Sequence, residues 1–134
     1  MINLNSEPDK ALKNVFIAAG ITTPIYLSDE VPTAALPDTF IELQMNGAIS
    51  SNASQLGFGN CVITISIYAK LLSSGATNRT KENLILAGLQ TIFKDVISSS
   101  GFTFALDKSK LVYQGKSLIS GYSTKMLNII TKLK

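Results

Sequence analysis

In the run Cys61-Val62-Ile63-Thr64-Ile65-Ser66-Ile67-Tyr68-Ala69-Lys70, residues Cys61, Ile63, Ile65, Ile67 and Ala69 fall on one side of an extended chain, and Thr64, Ser66 and Tyr68 on the other. A period of two over ten residues, rich in β-branched side chains, is the signature of a strand with one apolar face. Upstream, Phe40–Asn46 repeats the pattern, with Ile41, Leu43 and Met45 alternating with Glu42, Gln44 and Asn46. The two runs predict an antiparallel hairpin. Its connection, Gly47–Asn60, is mostly Ser, Asn, Gly and Ala and far exceeds the usual two to five residues.

The apolar period changes to helical on both sides of this hairpin. Before it, Ala11, Leu12, Val15, Phe16 and Ala19 recur at three- and four-residue steps. Ser6 and Asp9 suggest a capping box, Pro8 suits the first turn, and Gly20 suits the end. After it, Thr80 or Asn78 caps a second helix with Glu82 in its first turn. Ile85, Leu89, Ile92, Phe93 and Val96 form its apolar stripe, and Ser98-Ser99-Ser100-Gly101 ends it. Between the first helix and the hairpin, Pro24, Pro32 and Pro37 argue against a central strand, leaving Ile25-Tyr26-Leu27 as a short extended piece.

Three further strands fit Phe102–Leu106, Lys110–Tyr113 and Leu118–Lys132, with turns at 107–109 and 114–117 and a bend or bulge at Gly121. The order is α-β-β-α-β-β-β. Strands in runs, without βαβ alternation, predict a single α+β domain over 1–134. It would hold an antiparallel sheet of about five to six strands with both helices on one face.

Composition narrows the function. The chain has 134 residues, 46% apolar and 16% charged. Charge this sparse suits either a subunit of an assembly or a surface of uncharged polar residues. Histidine is absent and Cys61 is the one cysteine. The commonest general base is therefore missing, and neither a disulfide nor a usual zinc site can be built. Carboxylates are scattered, and Gly57-Phe58-Gly59 is too short to cradle a phosphate. No catalytic residue, metal ligand or cofactor is expected, and the reading is of a protein that is not an enzyme. No signal peptide and no membrane-spanning run is visible, so the cytoplasm is the expected compartment.

The net charge of +3 is unevenly spread. Up to Asn60, Glu7, Asp9, Asp29, Glu30, Asp38 and Glu42 face only Lys10 and Lys13; after Val96, six lysines face only Asp107. Dispersed lysines with Arg79 as the one guanidinium argue against specific nucleic-acid binding. The asymmetry also suits head-to-tail contact between identical subunits, although lysines guarding sheet edges and turns would look the same.

The first helix, the run Thr23-Pro24-Ile25-Tyr26, Val31-Pro32, Leu36-Pro37, Phe40-Ile41-Glu42-Leu43, the polar hairpin loop, Val62–Ala69 and the helix from Thr80 together resemble the tail-terminator or tail-completion proteins of long-tailed bacteriophages. The family's usual proline, placed directly before an aromatic strand start, is spaced here by Asp38-Thr39. The resemblance implies a structural virion protein without catalysis. It would form a homo-oligomeric ring, commonly a hexamer, that caps the tail tube and offers a joining surface to the head–tail connector. It further implies assembly in the bacterial host cytoplasm and a final place in the virion tail. By position, Ser51, Asn52, Gln55, Leu56 and Phe58 of the long loop, with Lys108, Lys110 and Lys116 of the later turns, are the expected subunit or partner contacts. The alternative is a small cytoplasmic binding or regulatory module without catalysis.

Overall fold

The computed structural model describes residues 7–46, 60–107, 113–115 and 119–133. Helix α1 (Pro8–Ala18) leads into the short strand β1 (Ile25–Leu27), then β2 (Thr39–Asn46) and β3 (Asn60–Lys70). Helix α2 (Arg79–Ile92) follows, then β4 (Ile97–Ser99), β5 (Phe102–Leu106), β6 (Tyr113–Gly115) and β7 (Tyr122–Leu133). The seven strands form one sheet in the order β1-β2-β3-β7-β5-β4, with β6 also paired to β7.

The inner face follows from the alternation. Ile63, Ile65 and Ile67 of β3 are fully buried, beside Ile41 and Leu43 of β2 and Leu127 and Ile129 of β7. Both helices pack on this face: Leu12 and Phe16 from α1 and Leu89 and Phe93 from the α2 end join one core, with Val15, Ile85 and Ile92 partly buried against it. Six strands side by side would put β1 about 24 Å from β4 in a flat sheet, twice a helix diameter. Yet α1 touches β1 and β2 at one end of the order and β4 and β5 at the other. The sheet therefore curls around α1.

The all-antiparallel expectation is corrected at β1, which pairs parallel to β2 (Ile25 with Ile41, Leu27 with Leu43). The proline-bearing segment 28–38 is thus a crossover, and three residues at a sheet edge are what Pro24 and Pro32 leave room for. At its far end the outward backbone groups of Leu27 are occupied: Leu27 N–H donates to Glu30 Oε1 (3.3 Å), and Glu30 N–H donates to Leu27 O (2.8 Å). A foreign strand would have to displace these bonds to extend the sheet there.

Helix α2 is capped by Asn78, one of the two caps expected, whose Oδ1 accepts from Lys81 N–H (3.3 Å). Further expectations change, beginning with the end of this helix, which comes at Ile92. Val96 is then 64% exposed and lies off the stripe. Ile97–Ser99, read as the helix tail, forms a hairpin with β5 instead. Its two-residue turn Ser100-Gly101 has positive φ at both positions (53° and 84°), as a type I′ turn needs. The expected three-strand meander is absent, because β5 and β6 lie end to end along one side of β7 and pair with it separately. Gly121 (φ 84°) belongs to the turn before β7 and makes no bulge within it. The expected strand residues Lys110–Val112 lie outside the described residues, as does the expected cap Ser6; Glu7 stands at the α1 N-cap without a side-chain bond.

The outer face is also buried in part. Phe40, fully buried, stacks on Tyr68 (centroids 4.7 Å, 14°) and meets Tyr26 (5.8 Å) and Tyr122 (5.6 Å) edge-on. Tyr122 Oη donates to Pro37 O (2.7 Å), and Lys70 N–H donates to Asp38 O (2.8 Å), fastening the end of the 28–38 connection to this face. Across β3 and β7, Thr64 Oγ1 donates to Asn128 Oδ1 (2.9 Å).

Candidate assembly surface

All eight expected contact residues lie outside the described residues: Ser51, Asn52, Gln55, Leu56 and Phe58 between β2 and β3, Lys108 and Lys110 between β5 and β6, and Lys116 after β6. The register does locate the roots of the long connection. Asn46 pairs with Val62, and among the described residues Asn60 and Cys61 pair with Lys132 and Thr131 of β7. Met45 at this end is 39% exposed.

The described carboxylates near the core hold structure together. Glu82, fully buried in the first turn of α2, accepts from Ser123 Oγ at 2.8 Å and ties the helix to β7. Glu42 accepts from Tyr68 Oη at 3.2 Å. Glu30, besides closing the β1 turn, pairs with Lys13 of α1 at 3.4 Å, and its carboxyl is held below its ordinary value first by the Leu27 N–H and then by Lys13. No three His, Cys, Asp or Glu side chains gather among the described residues in a way that could hold a metal ion. Cys61 is buried, and burial, with Asp9 nearby, pushes its thiol pKa up. No described helix is long and apolar enough to cross a membrane.

Tyr68 gives a measurable consequence. Burial first, and the Glu42 carboxylate second, push its phenol up from 10.0 to about 12. The folded state holds this proton more tightly than the unfolded chain, so the stabilisation is complete below pH 10 and is lost as pH climbs from 10 towards about 12. Urea titrations at about pH 9 and about pH 11.5 should show a larger fall for the native chain than for Tyr68→Phe. Equal falls would remove Tyr68 from the alkaline transition.

Among the described residues, the outward side of α2 carries the most exposed large apolar side chain. Glu82 and Leu89 are the buried residues of this helix, and Leu84 is 75% exposed. Ala87 and Thr91 continue its stripe, and both are exposed. Beside it, Leu84, Ile85 and Gly88 face Gly20–Thr23 across a shallow groove of about 200 Å³. A Cβ on Gly88 would meet Ile21 Cδ1 at 3.5 Å, ordinary contact, so a methyl group fits here without displacing Ile21. Ile17 on α1 is 56% exposed. Sequence reasoning missed Leu84 as a surface residue, although its place was readable: it falls one residue before Ile85 and so about 100° off the buried stripe.

No family model matches this chain, and no curated protein matches it. One solved protein structure that carries no functional description matches with a TM-score of 0.57 and 12% identity, over 94% of this chain and 89% of its own. At that identity the likeness speaks to the fold alone.

Proposed function

We propose that this chain is a structural subunit of the tail-terminator type, which joins copies of itself into a ring that caps a tail tube and presents a face to the head–tail connector. The observation that carries the reading is the outward side of α2, where Leu84 stands 75% exposed on a helix otherwise anchored by Leu89 and Glu82. With Ala87, Thr91 and the groove beside it, Leu84 forms an uncharged patch of the kind found at the centre of a protein contact. Three carboxylates, Glu82, Glu42 and Glu30, have structural partners, which suits a role in holding the fold. The sequence resemblance supplies the ring, the tube and the virion setting, and the site of action would be the virion tail.

Sedimentation and native mass measurement over rising protein concentration, with and without a candidate tail-tube protein, test this. A closed ring is the expected species at high concentration or in the presence of the tube. Added salt should slow its formation more than it dissolves a formed ring, because exposed charges are screened beyond about 8–10 Å while apolar burial is not. Monomer under every condition, with no tube bound, would replace this reading with that of a small binding module.

A further inference from the structure

Two exposed surfaces, one on helix α2 and one on the connection between β1 and β2, carry opposite net charge. On α2, the uncharged stripe of Leu84, Ala87 and Thr91 is flanked by Arg79 and Lys81 in the first turn and by Lys94, with Asp95 next to it, past the last. All three cations are exposed, and none forms an ion pair among the described residues. On the 28–38 connection, Thr33, Ala34 and Ala35 form an exposed, uncharged tip between Asp29 and Asp38. These two carboxylates are exposed and in no described ion pair, whereas Glu30 beside Asp29 is engaged by Lys13. The helix covers the inner face, and the connection runs from Glu30, paired with Lys13 of α1, to Leu36 and Pro37, which Tyr122 holds on the outer face.

We propose that the exposed side of α2 is the seat for the 28–38 connection of a second copy of this chain, with Leu84 against the Thr33–Ala35 tip and the flanking cations against Asp29 and Asp38. The inference rests on the ring reading above and names the surfaces through which the ring would close. Because the two surfaces differ, the contact is heterologous, and each copy offers a seat to one neighbour and a connection to the other. The seat has a surplus of positive charge and the connection a surplus of negative, so opposite surfaces attract while like surfaces repel. The connection is already held in shape by Tyr122 Oη on Pro37 O (2.7 Å) and Leu36 O (3.3 Å), which reduces the ordering cost of binding.

Two charge-reversed chains test the pairing. Arg79→Glu with Lys81→Glu makes the seat acidic, and acids in a first helical turn favour the helix, so the fold should persist. Asp29→Lys with Asp38→Lys makes the connection basic. Each variant alone should self-associate at least about tenfold more weakly than the native chain at low ionic strength, with unchanged far-ultraviolet circular dichroism. An equimolar mixture should assemble again, because each reversed seat then meets a reversed connection on its neighbour. Variants that assemble as the native chain does, or a mixture that stays dissociated, would overturn this pairing while leaving a ring formed through other surfaces. A native chain that never assembles, with or without a tube, would remove the ring reading itself, and the pairing with it.

Discussion

Phe16→Ala should lower the free energy of unfolding by about 3–5 kcal/mol, the range for emptying a buried aromatic site. Phe16 is fully buried inside the curl of the sheet, and its ring meets Phe93 edge-on at 5.7 Å and 84°. Truncation removes the transfer energy of the ring and the aromatic pair at once, and leaves a cavity in the shared core. The walls cannot collapse freely into the space, since a helix on one side and paired strands on the others hold them apart. Against a typical stability of about 5–15 kcal/mol, the loss is a large fraction of the whole. Urea denaturation should show a lowered midpoint with an unchanged slope. A loss below about 1 kcal/mol would mean that α1 is not enclosed by the sheet.

Phe40→Ala should cost a similar 3–5 kcal/mol, and its effect should spread along the chain. The side chain is fully buried on the outer face, where it touches the rings of Tyr26, Tyr68 and Tyr122. Tyr122 in turn holds Pro37, so removing the central ring loosens the fastening of the 28–38 connection. Protease should then cut within 28–38 faster than in the native chain, at a denaturant concentration where both are still folded. Tyr122→Phe keeps the ring and removes only the hydroxyl bond, so it should cost about 1 kcal/mol. Equal losses for the two variants would mean that the hydroxyl, and not the ring cluster, secures the face.

The β2–β3 pair and both helices were legible because each keeps one apolar period long enough to outweigh its neighbours. Ile63, Ile65 and Ile67 lie where their alternation put them, as do Phe16 and Leu89. What remained hidden depends on partners far away in the chain. The parallel pairing of Ile25–Leu27 is set by a crossover that local pattern does not encode, and the prolines around it pointed only to irregularity. Ser98-Ser99-Ser100-Gly101 reads as a helix stop because serine and glycine serve helix ends and tight hairpins alike. The outer aromatic cluster was missed for a different reason: Phe40 opens its strand on the side that Glu42 and Gln44 mark as polar. Of the candidate surface, the acidic 28–38 connection was visible as charge. The exposure of Leu84 needed the helix rotated against its buried residues, and the loop residues expected to make contact fall outside the described segments.

The position of β7 bears on how the chain reaches this state. It lies between β3 on one side and β5 and β6 on the other, yet it is synthesised after all three. While the nascent chain is on the ribosome, β3 can pair with β2, but its other edge, from Asn60 to Lys70, has no strand to join until Tyr122–Leu133 has emerged. The central ladder is thus a late, long-range event, of the kind that slows folding and leaves an apolar edge waiting in the meantime. Copies made side by side on one message would expose that edge together, so a holding chaperone, or rapid elongation through Tyr122–Leu133, would raise the yield of folded subunits more than any gain in the stability of the finished sheet.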